Sequence, residues 1–162
     1  MAQRYDVYGI GHANTDTEVL VEDALLAAHG IRPGLMTLVS DDEQRRLLDI
    51  LGDRHKVYAA GGSAANTMTG VVHFGGSASF LGKVGDDDSG AFYRESMTGV
   101  GVDFHGGAAS APTGVCVIMV TQDGERTMQT SLGAASLLDP ADVDEQRIAR
   151  SSMLYVEGYL WG

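Results

Sequence analysis

The chain has one cysteine, Cys116, among its 162 residues. No internal disulfide can form, and a reducing, cytoplasmic setting is expected. Basic residues are few, 11 Lys and Arg against 22 Asp and Glu, for a formal charge of −11. That excess argues against nucleic acid or an anionic membrane surface as the main partner. No apolar run approaches the roughly 18 residues of a membrane span, and Met1–Asp6 lacks the apolar core of a signal peptide. Only 3 prolines accompany 22 glycines, a balance that suggests tight turns. Hydrophobic residues at 44% and charged residues at 20% suit one domain with a packed core.

The stretch that organises the rest is Gly61-Gly62-Ser63-Ala64-Ala65-Asn66. A strand-like run, Lys56–Ala60, precedes it. Ala64, Ala65, Met68, Val71 and Val72 follow at helical spacing. Two glycines therefore stand where a strand becomes a helix, where first-turn N–H groups have no intrahelical partner. Asn66 falls in the first turn, off the apolar stripe. Such a turn can hold a polar, hydroxylated molecule, or can be a tight turn and nothing more.

Along the chain, Tyr5–Gly11 reads as a buried strand. Its Gly9-Ile10-Gly11 is not a dinucleotide fingerprint, because Asn14 replaces the third glycine and 15–21 alternates as a strand. Glu22–His29 reads as a helix stopped by Gly30, and Gly34–Val39 as a strand. Ser40 and Glu43 form a capping box for a helix that buries Gln44, Leu47, Leu48 and Leu51 and stops at Gly52. Ser77–Val84 reads as one strand. The following Gly82-Lys83-Val84 fails as a phosphate loop, since Val84 stands where a hydroxyl is needed. A helix capped by Asp88 or Ser89 is expected to run to about Thr98, ended by Gly99, with 101–104 returning to a sheet. Val115–Val120 and Arg126–Thr130 flank Gln122-Asp123-Gly124-Glu125 as a hairpin, with Cys116, Ile118 and Val120 on one face. Asp139-Pro140 is expected to open another helix, and Met153–Glu157 to form a last strand.

Alternating strands and helices imply an α/β fold with a mostly parallel sheet covered on both faces. Segments 16–21, 34–39 and 113–131 break the alternation and suggest a second, smaller sheet. The five histidines, His12, His29, His55, His73 and His105, show no metal-ligand spacing. Asp86-Asp87-Asp88 reads as a surface turn and cap, Arg126 as a solvated charge, and Cys116 as packing rather than a nucleophile.

Together the segments resemble the ribokinase-like (PfkB) family of sugar and nucleoside kinases, nearest its adenosine-kinase-like branch. The resemblance rests on 61–67, on Gly75-Gly76 and on 82–90. Gly11 with Asp16, Pro112-Thr113-Gly114, Gly124-Glu125-Arg126-Thr127 and Glu157-Gly158-Tyr159 support it. It implies a three-layer α/β domain with a small β-sheet lid, one unit over 1–162 matching the N-terminal part of the family fold. It also implies transfer of the ATP γ-phosphoryl group to a primary hydroxyl, with ATP and Mg2+ used by the complete enzyme and adenosine as the first expectation for the acceptor. Asp16 and Asn66 would bond sugar hydroxyls, Gly61 and Gly62 would let the backbone close on the sugar, and Cys116 would face the base. His12 stands where that branch has asparagine. The family's Asp-Thr-x-Gly-Ala-Gly-Asp base motif and its Asn-x-x-Glu motif do not occur in this sequence. The resemblance thus leaves a substrate-binding half, inactive alone, that self-associates or meets a complementary half. The alternative is a non-catalytic sugar- or nucleoside-binding fragment.

Overall fold

A computed structural model describes residues 4–161; Met1–Gln3, part of the segment read as lacking a leader, and Gly162 lie outside the described residues. The elements in chain order begin with β1 (Tyr5–Ile10), β2 (Asn14–Leu20), α1 (Asp23–Ala28), β3 (Met36–Leu38), α2 (Asp41–Leu51), β4 (Lys56–Gly61) and α3 (Ser63–His73). There follow β5 (Ala78–Leu81), β6 (Val84–Gly85), α4 (Asp88–Gly99), β7 (Asp103–His105), β8 (Ala108–Ala109), β9 (Gly114–Val120) and β10 (Arg126–Ser131). Short 3-10 turns at Gly133–Leu137 and Pro140–Asp142 lead to α5 (Glu145–Ala149) and β11 (Ser151–Val156).

Two sheets carry the architecture. The first has the order β11-β1-β5-β7, with every pairing parallel. One of its faces, through Val7, Ala78 and Phe80, packs on Met68 of α3 and on Tyr93 and Met97 of α4. The other, through Tyr8, Ile10 and Leu81, packs on Leu138, Val143 and Ile148. Arg147 pins α5 to this face by bonding Asp103, Ser79 and Tyr5. The fold is thus α/β with helices on both faces of a parallel sheet. At its β11 edge, Met153 and Leu154 lie on opposite faces and are 65% and 50% exposed.

The second sheet has the order β3-β10-β9-β2-β4 and mixes parallel and antiparallel pairs. Val19, Val117 and Met119 point to one side and pack on Leu26 of α1 and Leu47 and Leu51 of α2. Period-2 alternation sends Asp16, Glu18, Cys116 and Ile118 to the other side. A cavity opens on that side, bordered by Ser63 and Asn66 of α3. α2 is held as its sequence predicts: Ser40 Oγ accepts from the Glu43 N–H, and the Glu43 carboxylate accepts from the Ser40 N–H at 2.8 Å.

Five expectations change. The run 56–60 does not join the parallel sheet; β4 pairs antiparallel to β2 in the second one. Ser77–Val84 is not one strand. The chain leaves the first sheet at Gly82, which the backbone of Gly106 (φ +152) crosses so closely that a Cβ on Gly106 would overlap the Gly82 carbonyl. β6 then pairs with β8 instead. The cap of α4 is Asp87, one residue earlier than expected. Its carboxylate accepts from the Gly90 N–H at 2.8 Å and also from the Thr113 N–H and hydroxyl, tying the helix to the start of β9. The left-handed residue past that helix is Gly101 (φ +93), not Gly99. Asp139-Pro140 caps only one 3-10 turn, because the Asp142 carboxylate turns back to the Asp139 N–H and to Lys83. α5 starts later, under Asp144.

Candidate functional site

The diglycine serves two different contacts. Gly61 ends β4 beside β2, and a Cβ there would overlap the carboxylate of Asp16. Gly62 has φ +102, and a Cβ there would overlap the carbonyl oxygen of His12. One glycine makes room for a side chain and the other for backbone, in a conformation that L-residues rarely adopt. Gly62 is also the N-cap of α3, with no side chain to satisfy the first turn. That role falls partly to Glu157, whose carboxylate accepts from the Ala64 N–H at 3.3 Å and the Ser63 hydroxyl at 2.8 Å. The Tyr93 hydroxyl donates to the Gly61 carbonyl at 2.8 Å and fixes the turn from below.

Around this turn lies a cavity of about 390 Å³ between the two sheets. Its lining includes the polar residues His12, Asn14, Asp16, Ser63, Asn66 and Glu157. It also includes the apolar residues Met36, Leu38, Ile118, Met128 and Leu132. Met36 and Leu38 remain 45% and 60% exposed, apolar surface that an occupant would cover. A larger hollow of about 760 Å³ sits at the far end of the second sheet, by Glu18, Leu20, Arg54 and Val57. It lacks the glycine turn, so volume alone does not mark the site.

Burial pushes the Asp16 carboxyl up to about 6; Glu18 adds to the shift and Arg126 opposes it. Burial also raises the Cys116 thiol, which argues against a thiolate nucleophile. No group of three or more His, Cys, Asp or Glu able to hold a metal occurs among the described residues.

The family model for pfkB family carbohydrate kinases matches residues 34–161. The chain belongs to the pfkB family. It is 40% identical to the adenosine kinase of Sinorhizobium meliloti, whose crystal structure it matches with a TM-score of 0.88 over 98% of this chain and 49% of that one. A probable sugar kinase from Rhizobium etli is 34% identical, with a TM-score of 0.90 over 99% of this chain and 48% of that one. The ATP-dependent ribose-1-phosphate kinase of Halopiger xanaduensis is 30% identical over 105 residues, 64% of this chain and 36% of that protein. The chain therefore spans about half the length of these solved structures and about a third of that curated relative.

Within this pfkB chain, His12, Asp16, Gly62, Asn66 and Cys116 line one cavity, although up to 104 residues separate them in sequence. Gly61 lies just behind, under Asp16. Asp16 sits inside β2. Several lining residues were not singled out from sequence. Arg126, read as a solvated charge, lies on the cavity wall with Met128 and Thr130. The hairpin register pairs these with Val120, Ile118 and Cys116, so that face was open to inference. Asn14 precedes Asp16 by two and shares its face; its Oδ1 is buried against Gly114 without a partner. Glu157 carried no sequence signal beyond its place in the turn.

Proposed function

We propose that this chain forms the acceptor-binding side of a kinase that moves the γ-phosphoryl group of ATP to the primary hydroxyl of a nucleoside, adenosine in the first instance. The observation that carries this reading is the mixed lining of the cavity, hydroxyl-binding groups together with apolar ones. A ribose presents several vicinal hydroxyls, which suit the carboxylate of Asp16 and the amide of Asn66. A heterocyclic base presents flat apolar faces, which suit the thioether and aliphatic wall of Met36, Leu38, Ile118 and Met128. A free sugar would leave that wall wet.

Movement of the second sheet over the bound acceptor would cover the exposed Met36 and Leu38 and exclude water, which otherwise competes for the phosphoryl group. Segments 16–21, 34–39 and 113–131, with β4, form this proposed lid. Phosphoryl transfer also needs a base near the acceptor proton and a cation-rich cradle for the phosphates. Asp16 is assigned to hydroxyl binding, and Glu157 already accepts from three donors of the surrounding fold. The transfer machinery, with ATP and Mg2+, is therefore assigned to the complete enzyme. The open β11 edge supports association with a further strand, from the same protein or another copy.

A second reading, a sugar or sugar phosphate as acceptor, draws on Arg126, a guanidinium on the cavity wall. A thermal-shift panel of adenosine, ribose, ribose 1-phosphate and fructose decides. Stabilisation by adenosine alone supports the first reading; stabilisation by the sugars without adenosine overturns it.

A further inference from the structure

The peptide between Gly61 and Gly62 is free to turn over as far as its own residues are concerned. Turning it over changes ψ of Gly61 and φ of Gly62, and glycine accepts φ of either sign. Gly62 sits at φ +102. Backbone stiffness alone therefore does not fix the direction of this peptide. Among the described residues, one side chain bonds it: the Tyr93 hydroxyl of α4 donates to the Gly61 carbonyl at 2.8 Å.

Tyr93 is itself a fixed donor. It is fully buried, and its ring meets Phe104 edge-on with 5.4 Å between centroids. Its hydroxyl makes no other hydrogen bond among the described residues. Burial, with the charges of Asp16 and Glu157 adding to it, holds the phenol well above its ordinary value, so it stays protonated and donates. A peptide turned the other way would leave that hydroxyl in the core without its acceptor.

The other end of the peptide follows. A trans peptide sets its C=O and N–H on opposite sides, and no cis bond occurs among the described residues. The Gly62 N–H thus faces away from Tyr93, and no group of the described residues accepts it. Gly62 lines the cavity, and Tyr93 does not.

We propose that Tyr93 is a positioning residue for the acceptor site: from outside the cavity, it holds the Gly61–Gly62 peptide in the direction that leaves the Gly62 N–H free for an occupant. The ligand half of this proposal rests on the nucleoside reading above. Tyr93 acts through one carbonyl and never touches the ligand.

Tyr93→Phe deletes the hydroxyl and keeps the ring. A carbonyl that accepts a hydrogen bond resonates at higher ¹³C frequency, so the Gly61 carbonyl of the ligand-free protein should move to lower frequency in this variant. An unmoved resonance overturns the proposal whatever the ligand. Calorimetry at a temperature where the proteins are fully folded reads the effect on the site. Tyr93→Phe should bind adenosine about three- to tenfold more weakly than the wild type, the worth of one hydrogen bond. Val102→Ala, in the same core cluster but outside the cavity lining, controls for lost stability and should bind as the wild type does. Unchanged affinity in Tyr93→Phe, or an equal loss in Val102→Ala, overturns the positioning role and leaves the nucleoside reading intact. If Tyr93→Phe does not fold, amide hydrogen exchange of Gly62 in the wild type decides. Fast exchange without ligand is expected; slow exchange there reveals an internal acceptor and overturns the proposal. A wild type that binds no adenosine overturns the nucleoside reading and the ligand half, and the Gly61 resonance alone then decides whether Tyr93 orients the peptide.

Discussion

Asp16→Asn is expected to stabilise the ligand-free protein while it damages ligand binding. The Asp16 carboxyl sits at about 6, against an ordinary value of 3.8, chiefly because burial penalises its charge. The folded protein therefore takes up a proton near pH 6 that the unfolded chain holds only near pH 4 and below. The stability linked to that proton is fully present below the unfolded value and is lost as pH rises through 6. A shift of about two units is worth about 3 kcal/mol at pH 8. Asp16 keeps some solvent contact, so about 1–3 kcal/mol is expected after screening. Asparagine is nearly isosteric and carries no charge, so it removes this penalty. For a domain of this size the gain corresponds to roughly 3–10 °C in Tm. Thermal unfolding of both proteins from pH 4 to pH 8 is the assay. The variant should melt higher at pH 8, and the two curves should converge by pH 4. A variant that melts lower at pH 8, or a difference that does not change with pH, would refute the assignment of Asp16 as a buried, destabilising carboxylate kept for its ligand.

Adenosine affinity of the wild type should fall as pH drops through 6, since a protonated Asp16 loses acceptor capacity; calorimetry at pH 5 and pH 8 that gives equal affinities would count against its role. Gly62→Ala should cost about 1–3 kcal/mol in denaturant unfolding, because alanine resists φ +102 and its Cβ meets the His12 carbonyl; a loss below about 0.5 kcal/mol, the ordinary surface range, would contradict this. Asp87→Ala should also destabilise, by about 1–3 kcal/mol, since it removes the α4 cap and leaves the Thr113 N–H unpaired. Residues 1–162 with adenosine and Mg-ATP should release no ADP in a coupled assay; turnover abolished by Asp16→Ala would reveal a base in this part of the protein.

Local chemistry made much of the fold legible. The capping box at Ser40, the Asp-Gly turn and the glycine stops after α1 and α2 act through neighbouring residues, and each is found in place. What sequence order hid was sheet membership. β4 follows a helix, as a strand of a parallel sheet would, yet its partner is β2, about 40 residues earlier. Nothing in Lys56–Ala60 encodes that choice; it depends on which strand lies beside Asp16. Ser77–Val84 misled for a similar reason, because the chain leaves the sheet where Gly106, a distant residue, crosses Gly82. The diglycine and Asp16 were legible as a unit only through resemblance. Their physical link, a carboxylate occupying the space of a missing Cβ, is visible only in three dimensions. Arg126 and Asn14 could have been found from strand alternation and hairpin register. Glu157 could not, since donors from the β1–β2 turn and the start of α3, the His12 N–H, the Ser63 hydroxyl and the Ala64 N–H, define its role.

The most direct test is isothermal titration of adenosine into the wild type, Asp16→Ala and Asn66→Ala, at pH 8. Each substitution strands ligand hydroxyls without a partner, so each should weaken binding by roughly 1–3 kcal/mol, about 5- to 150-fold. Unchanged affinity in both variants would contradict the claim that the glycine turn, Asp16 and Asn66 form the acceptor site.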